Sequence, residues 1–479
     1  MVLDLENVSQ VWLDFGSMAW ERSVRAPIPD GDGRRDGLRV RMRLGAGVAG
    51  TRRGRCGRRP AARFAGAGLV AALGAAGSHA PGQNGEATGD RGVTRWTGFR
   101  GASANSVSRA RGLPLTWSDE SVRWRATTPG VGQSSPVVWD GAVFLTSVEG
   151  AMKETLWVSA LDLEDGSERW RRSFEASEEH EWNDYVSKAA PTPAVAEDGL
   201  YAFFASGDLM ALTHAGDPVW RRDLSADYGS TAGNHGVGNS VLLTDEAVVV
   251  LLARRTYSYL LAVSRETGET LWQADREPGV AWTTPVLAPG GDEIVVSASG
   301  RVEGFDAGSG ERRWSFAGME GNVIPSPTVT DDLVIVGGLD AAWNLALRRT
   351  GAAELSMADV AWTAGTASDF GSPFAYLDCV YWVNSSGAAR CLAPDSGTVH
   401  WTHRLPGSIW ATPLGYGNRV YFFTEEGVTE VLRASAGAPE VLATNHLELD
   451  APLTGFAAVD EAIILRAGQE VLRVGSGND

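Results

Sequence analysis

The sequence predicts an all-β chain built as an eight-bladed β-propeller of four-stranded antiparallel blades, with the last blade closed by an N-terminal strand. Three observations carry this prediction. A phrase ending in tryptophan recurs along the chain, a marker containing a hydroxyl residue recurs in antiphase with it, and the order of the two leaves one strand to spare at the N-terminal end and one missing at the C-terminal end. Composition agrees: 58 Gly and 18 Trp among 479 residues favour tight turns and aromatic packing over long helices.

The phrase is clearest as ALDLEDGSERW (160–170) and returns as AVSRETGETLW (262–272), GFDAGSGERRW (304–314) and CLAPDSGTVHW (391–401). Its closing tryptophans are Trp124, Trp170, Trp220, Trp272, Trp314, Trp362 and Trp401, spaced 39 to 52 residues apart, with Val441 in the next such place. That interval suits one four-stranded unit with its loops. Asp162 and Asp306 are placed to accept backbone N–H bonds as a strand enters its turn. Gly166, Gly216, Gly268, Gly310, Gly397 and Gly437 would supply the positive φ of that turn. Each indole is expected on the outermost strand, lying against the neighbouring blade, where the small residue of the phrase (Ala160, Ala211, Ala262 or Gly304) leaves room for it. Aromatics at so regular a spacing read as core rather than as a sugar or quinone platform.

The second marker sets a small hydroxyl residue, usually followed by proline, before an apolar run: Ser135, Thr192, Ser240, Thr284, Ser326, Ser372, Thr412 and, faintly, Thr454. Between markers the chain alternates as strands do. In the first unit PVVW turns at Asp140-Gly141 into AVFLTS, and LWVSALDL turns at EDG into SERWRRSF. About eight such units suggest a closed radial ring, which leaves few exposed sheet edges. Trp124 precedes the first hydroxyl marker, whereas Thr454 is followed by only two more strands, AAIILRA and EVLRVG. The segment SVRWRATTP is therefore expected to complete the eighth blade.

The formal charge of −17 is unevenly spread, since 13 of the 42 basic residues and only 7 of the 59 acidic ones fall in the first 80 positions. So acidic a body repels nucleic acid and anionic lipid and argues against both as partners. Residues 1–41 are expected to be upstream or disordered sequence, 42–80 a signal peptide, 81–95 a linker and 96–479 the propeller. The basic run RRGRCGRRPAARF, the small apolar run AGAGLVAALGAAG and the small residues ending at Ala80 carry that reading; left uncleaved, the same segment would retain the chain at the membrane. An exported chain places Cys379 and Cys391 in an oxidising, periplasmic setting. They flank the hairpin VYWVNSSGAAR roughly opposite each other, which fits a cross-strand disulfide and equally two buried thiols.

Two connections from an outermost strand to the next inner one are long: EASEEHEWNDYVSK (175–188) and SADYGSTAGNHGVG (225–238). They are the best candidates for a binding surface, with His180, Trp182 and Tyr185 in the first and Asn234 and His235 in the second. The neighbours Glu178, Glu179, His180 and Glu181 suit a solvated acidic run better than a metal site, because successive loop residues seldom converge on one ion. Trp182 and Tyr185 would supply contact area to a partner. Asn234 and His235 sit close to the inner-strand entry at Ser240, from which the loop could approach the axis, although structural hydrogen bonding is the plainer role for a lone histidine. No Ser-His-Asp arrangement, phosphate-cradling glycine loop or zinc spacing stands out, so no catalytic, cofactor-binding or metal residue is nominated.

The A-x-D-x-x-x-G-x-x-x-W phrase resembles the tryptophan-docking repeat of the pyrroloquinoline-quinone-like (PQQ-like) β-propellers, which include quinoprotein alcohol dehydrogenases and BamB-like assembly propellers. The resemblance covers roughly 95–477. The opening RWTGFRGASANSVSRARGLPLTWS and the closing EVLATNHLELDAPLTGFAAVDEAIILRAGQEVLRV look like the ends of an exported bacterial subfamily. It implies one of two roles: a non-catalytic scaffold with a protein partner in the cell envelope, or an oxidoreductase that holds PQQ and calcium on the axis. The enzymes of the family set the quinone against two adjacent cysteines, with calcium held by acidic and amide side chains. This chain has no Cys-Cys pair and no C-x-x-C-H for a haem, which favours the scaffold, without cofactor.

Overall fold

The computed structural model describes residues 95–475 except 182–188, 232 and 234. The expected upstream and signal segments, and the linker apart from Arg95, fall outside this range, as do Trp182, Tyr185 and Asn234.

Blade 1 shows how the repeat becomes structure. Strands Val137–Trp139, Ala142–Glu149, Thr155–Asp162 and Glu168–Glu175 pair in that order, each antiparallel to the last. Adjacent blades cover both faces of the second and third strands, which are therefore mostly buried and read as apolar runs, while the outermost strand alternates between exposed and half-buried residues. The first turn is set by Asp140 (φ 44°) and Gly141 (φ 76°), both in the left-handed region that a two-residue hairpin of this twist requires.

Eight such sheets form the ring. In blade 8, Leu453–Val459, Ala462–Ala467 and Glu470–Gly475 are completed on the outside by Val122–Thr127, with Trp124 opposite Arg473 and Ala126 opposite Val471. Backbone hydrogen bonds between the first and the last strand of the propeller thus close the wheel. Blade 4 departs from the four-stranded expectation. Its outermost strand Arg312–Ala317 gains a parallel two-residue neighbour, Glu354–Leu355, from the long connection inside blade 5. Ser315 anchors it by donating to Glu354 at 2.8 Å.

The tryptophans join blades, but the room for them is made elsewhere than the phrase suggests. A Cβ added to Gly166 would stand 2.5 Å from the Trp124 ring, and Gly216, Gly268, Gly310 and Gly397 would likewise meet Trp170, Trp220, Trp272 and Trp362 at 2.4–2.8 Å. Each ring therefore lies on the turn glycine of the next blade. The indole N–H of Trp124 donates to Leu163 O (3.0 Å), Trp170 to His214 O (2.8 Å), Trp220 to Arg265 O (2.9 Å) and Trp362 to Pro394 O (2.8 Å), all carbonyls of those turns. The small residue instead faces its own blade's tryptophan across the strands, Ala160 opposite Trp170 and Ala262 opposite Trp272.

Two tryptophans differ. Gly437 does not have the positive φ expected of it, and Trp401 is held through its N–H to Ser435 O at 2.9 Å. Blade 5 lacks a phrase glycine at the receiving turn, so the Trp314 indole donates to the Glu293 carboxylate, which Arg349 of blade 5 holds at 2.7 Å.

Cys379 and Cys391 form a disulfide with Cα atoms 5.3 Å apart, and both residues are wholly buried. Tyr381 is the residue directly across from Cys391, so the bridge runs diagonally between the two strands rather than straight across. Cys391→Ser should lower the unfolding free energy by about 3 kcal/mol, the usual entropic effect of opening a loop of this size. Urea unfolding checks this: the wild-type midpoint should fall on reduction, and a midpoint indifferent to reductant would contradict it.

Candidate functional site: the propeller axis and the loops above it

The hydroxyl markers converge on the axis and link one blade to the next. The backbone N–H of Ser135 donates to Thr192 Oγ1 (3.0 Å), that of Thr192 to Ser240 Oγ (3.0 Å) and that of Ser240 to Thr284 Oγ1 (3.0 Å). Thr284 N then donates to Ser326 Oγ (2.9 Å) and Ser326 N to Ser372 Oγ (3.0 Å). Five consecutive links thus carry blades 1 to 6 around the centre. A small hydroxyl is needed because it accepts at short reach without filling the axis. The proline that usually follows suits an edge position, since an innermost strand has no further strand to receive its N–H.

The axis is filled from the side of the first turns by a strap that precedes the closing strand. Trp96 exchanges two backbone hydrogen bonds with Val138 of blade 1, and Thr97 O accepts from Val195 N of blade 2. Arg100 then donates to Pro327 O (3.0 Å), Thr328 Oγ1 (2.7 Å) and Pro373 O (3.2 Å) in blades 5 and 6, across the ring. Ser106 and Ser108 pair with Gly415 of blade 7, and Ser108 Oγ donates to Ala458 O of blade 8. Trp96 and Arg100 are 2% and 3% exposed. What remains on the axis is a cavity of about 130 Å³, walled by the eight marker residues, with Trp96, Arg100, Ser106 and Phe456 also lining it. Residues two positions before a marker form a second tier, among them Trp282, Phe370 and Trp410.

The two long loops are joined to each other. Glu178 accepts from Thr231 N and Thr231 Oγ1 (both 2.8 Å) and from the Ser230 hydroxyl. Burial pushes this carboxyl up, but those three donors together outweigh it and hold the group below its ordinary range. Glu179 and Glu181 are exposed, as a solvated run requires, whereas Glu178 is half-buried and structural. His180 is buried, with Nε2 3.1 Å from Ala205 O, and Thr231 Oγ1 meets the same carbonyl at 2.6 Å. It fixes the loop from within instead of presenting a contact surface. His235 packs edge-on against Trp282, with ring centres 5.8 Å apart, and lines a lateral cavity of about 360 Å³ with Arg254 and Asn322. Trp282 lines both that cavity and the axial one, so the loop reaches the axis through Gly238 while His235 stands off it.

A family model described as that of the outer membrane protein assembly factor BamB matches residues 68–257 and 256–352, more than half of the chain. The chain belongs to this PQQ-like β-propeller family. Among its relatives, the outer membrane protein assembly factor BamB of Burkholderia pseudomallei is 24% identical over 240 residues, 47% of this chain and 55% of that protein. Its Pseudomonas aeruginosa counterpart is 28% identical over 158 residues, 32% and 39% of the two chains. The chain thus spans about half of these BamB relatives or less. The crystal structure of BamB from Moraxella catarrhalis superposes with a TM-score of 0.52 at 14% identity, covering 74% of this chain and 98% of that one. The quinohemoprotein alcohol dehydrogenase from Comamonas testosteroni does so with a TM-score of 0.55 at 13% identity, covering 81% of both. At such identities these two likenesses show a shared fold.

The PQQ-like fold raises the question whether this axis suits a quinone with calcium, and its residues do not fit that group. Ligand pockets for molecules of that class measure about 300–1,000 Å³, more than twice the 130 Å³ left here. The lining offers hydroxyls, indoles, a guanidinium and the single amide of Gln133 but no carboxylate, and a hard divalent cation takes oxygen donors that include carboxylates. Among the described residues no group of three or more His, Cys, Asp or Glu is placed to hold a metal ion. The strap residues Trp96, Arg100 and Ser106 and the second tier escaped the sequence reading. A signal for the tier was present: Gln133, Ala190, Gly238, Trp282, Ile324, Phe370 and Trp410 all stand two residues before a marker.

Proposed function

We propose that this protein is an exported, non-catalytic propeller that serves as a binding or assembly scaffold for a protein partner in the cell envelope, working without a cofactor. The observation that carries the reading is the strap: the axis, where the resemblance places the quinone of the family's enzymes, is filled by the chain's own Trp96 and Arg100, bonded to opposite blades. A ring stapled across its centre keeps its surface loops in fixed register, and such pre-organisation favours recognition because little order is lost on binding. The assembly role that the BamB relatives carry in their name supports the same reading.

The partner-binding face is assigned to the loops beside His180 and Thr231. Met152 is exposed on that side, its carbonyl accepting from His180 N, and Leu339 is exposed in the corresponding connection of blade 5. A photo-crosslinking residue at 152 or 339 should give a defined adduct in the bacterial envelope, while one at Leu377, exposed on the opposite face, should give none. The rival reading, a PQQ-dependent oxidoreductase, is tested by adding quinone and calcium to the purified protein. Alcohol- or sugar-dependent dye reduction, or the absence of any adduct, would overturn the scaffold.

A further inference from the structure

The axial cavity has a polarity that neither the repeat nor a scaffold requires. Arg100 is a buried cation with no carboxylate pulling on it among the described residues: burial alone lowers its pKa, to about 9, so it stays protonated at neutral pH. Three of its bonds go to neutral oxygens, and its Nε has no hydrogen-bond partner. Trp96 Nε1, Ser106 Oγ and Thr454 Oγ1 are buried without partners as well, and all four residues line the cavity. Trp96 Nε1 and Arg100 Nε can only donate, and the two hydroxyls are able to.

The relay adds to this. Thr192, Ser240, Thr284, Ser326 and Ser372 each accept a backbone N–H through the side-chain oxygen, which leaves each hydroxyl proton available to donate. An unpaired charge in such surroundings is expensive unless something neutralises it. A donor-rich concavity of about 130 Å³, against the roughly 10–15 Å³ that one water needs, has room for a small ion with some of its hydration.

We propose that the axial cavity is an anion site, in which Arg100, Trp96, Ser106 and the ring hydroxyls hold one small monovalent anion of the halide or short-carboxylate class between the strap and the ring of markers. Such an anion would neutralise Arg100 and tie the strap to the relay. The strap would then be seated by salt composition as well as by packing. This site stands independently of the scaffold reading, since it concerns the centre of the ring and not its partner face.

Bromide and formate are the probes. In crystals of the full chain grown with bromide, an anomalous peak is expected in the axial cavity within contact distance of Arg100 and Trp96. In solution, bromide should quench tryptophan fluorescence saturably and formate should compete with it, each raising the melting temperature to a plateau. Arg100→Gln should weaken the apparent affinity at least tenfold. Trp96→Phe, which keeps the packing and loses only the donor, should weaken it several-fold, and this variant keeps the test informative if Arg100→Gln folds poorly. An axial cavity holding only water in the bromide crystals, or salt effects that never saturate and are the same in both variants, would overturn the proposal.

Discussion

Trp362→Ala is expected to destabilise the propeller by about 3–5 kcal/mol, the usual range for emptying a buried aromatic site. The indole is 6% exposed, donates to Pro394 O at 2.8 Å, meets Trp382 edge-on with ring centres 6.3 Å apart, and lies on Gly397 of blade 6. Its loss leaves a cavity between two blades that the closed ring cannot collapse, and it leaves a carbonyl without its donor. Gly397→Ala attacks the same joint from the other side. Its added Cβ would stand 2.8 Å from the ring, on a backbone whose φ of 65° is itself unfavourable for alanine by about 1–2 kcal/mol. In the Trp362→Ala background the collision disappears and only the backbone term remains, so the two substitutions together should cost less than the sum of the singles. Urea unfolding of the four proteins measures this coupling. Additive effects would show that ring and glycine do not form one joint.

The tryptophan phrase was legible because it is local: eleven residues carry the Asp that caps the turn, the glycine that bends it and the ring that leaves it, and repetition separates this signal from chance. The blade count followed from the number of markers, and the closure of the ring from their order. The partner of each ring was less legible, because Ala160 and Gly166 are both small and only the three-dimensional offset between blades shows that Gly166 lies beneath Trp124. Trp314 could have been flagged, since the receiving stretch LRRTGAAELSMADVAW breaks the phrase. The strap was hidden for a different reason. Arg100 acts on Pro327 and Pro373, more than 220 residues away, and nothing in RWTGFRGASANS announces a segment that crosses the axis. The loop residues divide in the same way: the acidity of Glu178 is visible in sequence, but its anchoring by Ser230 and Thr231 depends on two loops from different blades meeting.

A second large effect is expected at the seam between blades 3 and 4, where Arg276 and Glu303 form an ion pair with both side chains 2% exposed. Arg276 Nε donates to Glu303 Oε2 at 2.7 Å, and its Nη1 donates to Ser258 Oγ at 2.9 Å. Burial pulls the guanidinium pKa down, and the adjacent carboxylate only partly restores it. Removing one member of such a pair strands the other, at about 3–5 kcal/mol. The two single substitutions should nevertheless differ. Glu303→Leu leaves Arg276 with Ser258 alone and should show the full penalty. Arg276→Met leaves Glu303 beside Arg312, whose Nη1 lies 3.4 Å from Oε1 and whose side chain is 45% exposed and so able to move closer, and this variant should lose less. In the double variant no charge is stranded, and two apolar side chains of similar bulk fill the seam, which places its stability above that of Glu303→Leu and within about 1–2 kcal/mol of the wild type. Urea midpoints at neutral pH read all three. A double variant as weak as the two singles combined would mean that the pair holds the seam by its own attraction, and that the loss comes from the missing contact rather than from a stranded charge.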